Sequence, residues 1–122
     1  YTWIYIGGEI KYKGNKYKVT SIADNAMKKN KVIEVITIGK EVKTIGNSAF
    51  EGCPNLIEVE IGKNVTSIGS KAFYSCKKLN TINIKSKKLK YVGSSAFKKI
   101  KKGGYIKCPK KCKKLLKGKV GN

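Results

Sequence analysis

From Val19 onward the apolar residues recur in a fixed order. Each of Ala26, Ala49, Ala72 and Ala96 is followed by a large apolar residue (Met27, Phe50, Phe73, Phe97), and four positions ahead of each stands Ile22, Ile45, Ile68 or Val92. Downstream come Ile33, Leu56 and Leu79, then Ile36, Val59, Ile82 and Ile106, then Ile38, Ile61, Ile84 and Cys108. The four Ala lie 23, 23 and 24 residues apart. The chain therefore reads as four copies of one unit. The single extra residue falls in the Lys-rich connection after Ile84, where a loop absorbs it.

Inside each unit the period changes. EVEI and TINI alternate polar and apolar residues over a few β-branched positions, which predicts one short, half-buried strand per unit. Two residues ahead of each Ala stands Asp24, Asn47, Ser70 or Ser94, side chains that cap orphan N–H groups, which predicts one short helical turn per unit. One strand and one turn of helix cannot bury their own apolar face. Stacking units strand on strand, about 4.8 Å apart, makes the continuous core that a single unit lacks. The expected fold is an α/β repeat solenoid.

The string I-G-x-x-A-F-x-x-C-x-x-L-x-x-I-x-I resembles the BspA-type leucine-rich repeat. Ile45, Gly46, Ala49, Phe50, Cys53, Leu56, Val59 and Ile61 match it, as do Ile68, Gly69, Ala72, Phe73, Cys76, Leu79, Ile82 and Ile84. The first unit departs at Ala23, Met27 and Asn30 and the last at Ile100 and Gly103, as terminal units of such arrays do. The resemblance covers Val19 to Cys108. It implies a right-handed leucine-rich-repeat-like stack in a module that is secreted or displayed on a cell surface and takes part in adhesion or protein interaction. An extracellular or cell-surface address follows from it.

The ends read as caps of a single domain spanning residues 1–122. In WIYIGGEIKYKGNKYKV the apolar residues alternate around Gly7-Gly8 and Gly14-Asn15, both favourable hairpin turns, which predicts a β cap of three antiparallel strands over residues 1–18. Four repeats of 23–24 residues fill 19–108. Over 109–122 Pro109 can open a helix whose one face carries Cys112, Leu115 and Leu116 and which Gly118 ends, a helical cap. Caps matter because open strand edges invite aggregation. The chain opens at Tyr1 without Met or a charged-then-apolar leader, so any targeting segment is expected to lie outside it. No apolar run reaches the roughly 18 residues that span a membrane.

Charge complicates this picture. The formal net charge is +21, and all 28 basic residues are Lys. Residues 1–60 hold nine Lys and all seven carboxylates, whereas residues 61–122 hold nineteen Lys and no carboxylate. A biased codon pool would also give such a composition. As chemistry, a polycationic half attracts polyanions with strong salt dependence.

Catalysis finds little to work with. No His is present, which excludes Ser-His and Cys-His nucleophile pairs. Glu58 and Glu60 share one strand face, but paired carboxylates on an open sheet are ordinarily just solvated. The protein is not expected to be an enzyme, and no cofactor or metal is expected. Cys53 and Cys76 hold the same repeat position and should stack as buried reduced thiols; a Cys108–Cys112 bridge is the less favoured arrangement, and a Cys pair without His lacks the ligands of a structural zinc site.

Two surfaces remain as candidates for binding. The outward positions of the strands form a mixed polar face of Val35, Thr37, Glu58, Glu60, Thr81, Asn83, Tyr105 and Lys107, suited to a protein or glycan ligand. Lys85, Lys87, Lys88, Lys98, Lys99, Lys101 and Lys102 lie in the connections and helical turns and are the candidate contacts for a polyanion such as teichoic acid, sulphated glycan or non-specific nucleic acid. Sequence-specific reading of nucleic acid is disfavoured because Arg forks and a repeated aromatic platform are both missing. A monomer is expected.

Overall fold

The computed structural model describes residues 2–121; Tyr1 and Asn122, the outermost residues of the two expected caps, lie outside them. The described chain runs β1 (Trp3–Ile6), β2 (Glu9–Tyr12), β3 (Asn15–Lys18), β4 (Ser21–Ile22), β5 (Val35–Ile38), β6 (Thr44–Ile45), β7 (Glu58–Ile61), β8 (Ser67–Ile68), β9 (Thr81–Ile84), β10 (Tyr91–Val92), β11 (Phe97–Lys98) and β12 (Tyr105–Lys107). A 3-10 turn (Lys110–Cys112), α1 (Lys113–Leu116) and β13 (Val120–Gly121) follow. Two parallel sheets form the walls. One has the order β1-β5-β7-β9-β12 and the other β10-β8-β6-β4.

The registers follow from the repeat length. Ile36 pairs with Val59 and Val59 with Ile82, so each residue sits beside its own equivalent 23 positions on. Alternation then sends Ile36, Ile38, Val59, Ile61, Ile82 and Ile84 inward, all at most 2% exposed. The result is a β-solenoid of about four turns. At its centre the rings of Phe50, Phe73 and Phe97 stack with centroids 5.1 Å apart and planes within 9°. Identical residues at a β-sheet spacing fall naturally into offset stacks, which add to plain area burial.

The helical turn expected in each unit is not there, and each unit carries a second, two-residue strand instead. Between Gly46 and Cys53 the chain turns through left-handed residues, Ser48 at φ 56° and Gly52 at φ 70°. Its N–H groups reach the next turn of the stack: Ser48 donates to Ser70 O (2.9 Å), Phe50 to Ala72 O (2.7 Å) and Gly52 to Tyr74 O (2.8 Å). A short isolated helix would leave most of its end groups unpaired, whereas bonding to a neighbouring turn satisfies them at once. The capping-type side chains do the same job across turns. Asp24 Oδ1 accepts from Asn47 N–H (2.7 Å) and Asn47 Oδ1 from Ser70 N–H (2.9 Å).

That close approach explains the repeated Gly. A Cβ on Gly46, Gly69 or Gly93 would lie 2.3–2.5 Å from the backbone nitrogen of Asp24, Asn47 or Ser70 in the preceding turn. In the first unit Ala23 stands at this position, directly after β4, the edge strand of its sheet, and it is exposed. The rule is thus a rule about neighbours.

Both ends differ from the sequence expectation. β1 does not fold back as the first arm of a hairpin; it pairs parallel with β5 and begins the five-stranded sheet. Only β2 and β3 are antiparallel, with Tyr12 opposite Asn15, so the turn is Lys13-Gly14, both at positive φ, rather than Gly14-Asn15. A two-residue turn with both centres left-handed fits the strand twist. At the other end Cys112 is buried and Leu115 and Leu116 pack on the core, but the helix is short. β13 shares that end by pairing with β11. The extra residue after Ile84 is taken up around Ser86, fully buried, whose Oγ donates to Val65 O at 2.6 Å.

Candidate functional site

The outward positions of the five-stranded sheet line up in two rows. Trp3, Val35, Glu58, Thr81 and Tyr105 form one, and Tyr5, Thr37, Glu60, Asn83 and Lys107 the other. All eight residues expected on this face are brought together there. Trp3 and Tyr5 were not expected, because their strand had been read as part of a hairpin. The signal lay in the sequence: IYIGGEI at 4–10 repeats ITIGKEV at 36–42 and VEIGKNV at 59–65.

These additions change the chemistry of the face. Trp3 is 62% exposed, and its indole N–H donates to Thr37 Oγ1 at 2.9 Å, which anchors the ring's polar edge to the sheet. Tyr5 and Tyr105 are also more than half exposed. Exposed Trp and Tyr beside polar groups are what binding surfaces enrich. Glu58 is exposed, while Glu60 pairs with Lys85 at 3.4 Å, a surface contact worth at most about 1 kcal/mol.

The seven Lys expected to meet a polyanion separate into groups. Lys85, Lys87 and Lys88 lie along the edge where the five-stranded sheet turns toward the shorter one. Lys101 and Lys102 line a hollow with Asn80 and Tyr105 in the connection that leads into β12. Lys98 and Lys99 belong to the turn face, where the Lys99 ammonium stands 5.8 Å and that of Lys71 5.1 Å from the Tyr74 ring centroid. Other Lys join the first group: Lys40 and Lys63 from earlier turns and Lys107 from β12. Their signal was the Gly-Lys pair recurring at 39–40 and 62–63.

The thiols of Cys53, Cys76 and Cys112 are free and fully buried, and Cys108 is free and half-buried. Cys53 Sγ donates to Met27 O (3.2 Å) and Cys76 Sγ to Phe50 O (3.1 Å), a ladder across turns. Contact with Cys53 and burial push the Cys76 thiol well above the usual range. These sulfurs are core. Among the described residues no helix is long and apolar enough to cross a membrane, and no three His, Cys, Asp or Glu side chains cluster as metal ligands.

Residues 15–119 match the BspA type leucine rich repeat region (6 copies). The chain belongs to this family. A leucine-rich repeat protein from Bacteroides ovatus superposes with a TM-score of 0.75 at 31% identity, over 87% of this chain and 29% of its own. One from Bacteroides capillosus gives 0.72 at 24% identity, over 88% of this chain and 78% of its own. The pneumococcal vaccine antigen PcpA gives 0.58 at 21%, over 81% and 32%. The chain thus spans less than a third of the Bacteroides ovatus protein, and the two more distant structures share its fold. No curated protein shows significant similarity to it. BspA-type leucine-rich repeats are interaction modules, and the two rows on the five-stranded sheet are where this one offers mixed aromatic and polar groups.

Proposed function

We propose that the protein is an extracellular or cell-surface adhesion module that binds a protein partner through its five-stranded face. The observation that carries this reading is the registered pair of rows, which sets Trp3, Tyr5 and Tyr105 around a polar middle of Thr37, Glu58, Thr81 and Asn83. Rigid aromatic anchors lose little entropy on binding and tend to dominate interface energies. The middle strands β5, β7 and β9 are bonded on both sides and β1 and β12 close the sheet as its edges, so the face is held in one register. It acts by binding and not by catalysis: the carboxylates Glu58 and Glu60 stand on an open sheet, with no His in the chain to act as base. The relatedness to leucine-rich repeat proteins of Bacteroides supports the surface address.

The test is a panel of immobilised extracellular proteins and neutral glycans. Trp3→Ala, Tyr105→Ala and Glu58→Lys should each weaken capture of the partner about tenfold or more, the loss typical of an interface anchor. Lys98→Gln with Lys99→Gln should change it little. Trp3 is the single Trp of the chain, so binding should also shift its emission. The opposite ranking of variants, or capture without a change in Trp3 emission, would remove the strand face as the site.

A further inference from the structure

Three hollows follow one another along the edge where the long strands end. The first is lined by Tyr5, Lys40, Glu60, Lys63 and Lys85. The second has Lys63, Asn64, Lys85, Lys87 and Lys88, and the third Asn83, Lys85, Lys87, Lys107 and Pro109. Because Lys63, Lys85 and Lys87 are shared between them, they form one groove that runs parallel to the axis of the stack. Lys40 and Lys63 hold the same position in successive turns, so their backbones step at about 4.8 Å, and Lys85 follows in the next turn one position earlier, beside Gly62. Six Lys face this groove, and Glu60, itself paired with Lys85, is the carboxylate among its lining residues.

We propose that this groove binds an acidic polysaccharide laid lengthwise, its sulfate or carboxylate groups against Lys63, Lys85, Lys87 and Lys107 and one sugar ring against Tyr5. The charge decides that the occupant is a polyanion. Lys ammonium groups are flexible point charges, which suit anions of variable spacing and lack the fork that reads phosphate or base edges in pairs. The aromatic content decides which polyanion. A single-stranded nucleic acid needs a stacking ring for each of several bases, whereas this groove has one ring, Tyr5, at one end. A sugar polymer needs one flat face for a ring and amides for its hydroxyl groups, which Tyr5, Asn64 and Asn83 provide. This surface takes in the second of the two rows, Tyr5, Thr37, Glu60, Asn83 and Lys107, and leaves the first row, with Trp3, Glu58 and Tyr105, to the protein partner.

Heparin, sugar-free polyphosphate and duplex DNA serve as probes for the full chain across a salt series. Heparin should bind tightest. The triple Lys63→Gln, Lys85→Gln, Lys87→Gln should lower heparin affinity at least about tenfold and flatten the log-log salt slope by about two, since each lost contact removes roughly 0.7 to 0.9. The triple Lys77→Gln, Lys101→Gln, Lys102→Gln removes equal charge elsewhere and should change affinity less than about threefold. Tyr5→Leu should weaken heparin and leave polyphosphate unchanged, and Trp3→Ala should affect neither. Equal losses in the two triples, or tighter binding of polyphosphate or DNA than of heparin, would overturn the proposal, the first by reducing it to net charge and the second by giving the groove to another polymer.

Discussion

The same repeat position meets different surroundings in the middle of the stack and at its first turn. Ala49, Phe50, Ala72 and Phe73 are fully buried, whereas their first-turn equivalents Ala26 and Met27 are exposed and half-buried. Gly46 and Gly69 are pressed against the turn before them, and Ala23 is not. Asn64 donates to Lys40 O (2.7 Å) and accepts from the Lys88 ammonium (2.8 Å), but its counterpart Glu41 accepts from Gly8 N–H (3.0 Å) in the chain that enters the stack. Consensus residues of this repeat are therefore requirements of the interface between turns. Where one neighbour is missing, the requirement lapses.

The largest effect should come from the stacked rings. Phe73 lies between Phe50 and Phe97, and Phe73→Ala should cost roughly 3 to 5 kcal/mol through the cavity it leaves. Met27→Ala should cost about 1 kcal/mol, because part of that side chain already meets water. Denaturant melts of both variants measure the contrast, and equal losses would mean that position in the stack does not matter. Next comes the glycine. Gly69→Ala puts a Cβ 2.5 Å from Asn47 N, an overpacking of backbone that should cost about 1 to 3 kcal/mol. Ala23→Gly should lose only the roughly 0.5–1 kcal/mol of added chain entropy. Asn47→Ala is milder than Gly69→Ala: it removes the acceptor for Ser70 N–H on an exposed ladder and should cost about 1 kcal/mol. A loss under the error of the melt would show that water replaces the side chain there.

The units most alike were the most legible. Register, inward residues and the Phe stack all follow from a 23-residue repeat and strand alternation, because these depend on side-chain size and spacing. What the sequence concealed was which groups pair. Asp24, Asn47 and Ser70 have the chemistry of helix caps, and the same chemistry serves a neighbouring turn equally well; the deciding partner is 23 residues away and has no local mark. IYIGGEI was hidden for the opposite reason. It carries the repeat pattern, but its Gly-Gly is also a hairpin signal, and pairing with β5 across 32 residues outweighed it. Of the two proposed binding faces, the eight strand positions were readable from alternation, while the grouping of Lys40, Lys63, Lys85 and Lys87 required the turns to be stacked.

The smallest contrast concerns Glu41 and Asn64. The hydrogen bond from Gly8 N–H holds the Glu41 carboxyl below the ordinary glutamate value of 4.5, with Lys40 and Lys18 adding to the effect. A folded-state value lowered in this way stabilises the fold above 4.5, and the contribution disappears as pH falls from 4.5 through the lowered value. Acid should therefore loosen the junction between β1 and the first turn while Asn64, a neutral amide, holds the middle turns unchanged. The Gly8 amide proton should titrate with a midpoint below 4.5 in an NMR series, and Glu41→Gln should abolish that titration because the amide accepts the same bond without a charge. A Gly8 shift that still moves in Glu41→Gln, or that has its midpoint at or above 4.5, would show that another carboxylate governs the end of the stack. In that case the difference between the first turn and the middle would be one of packing alone.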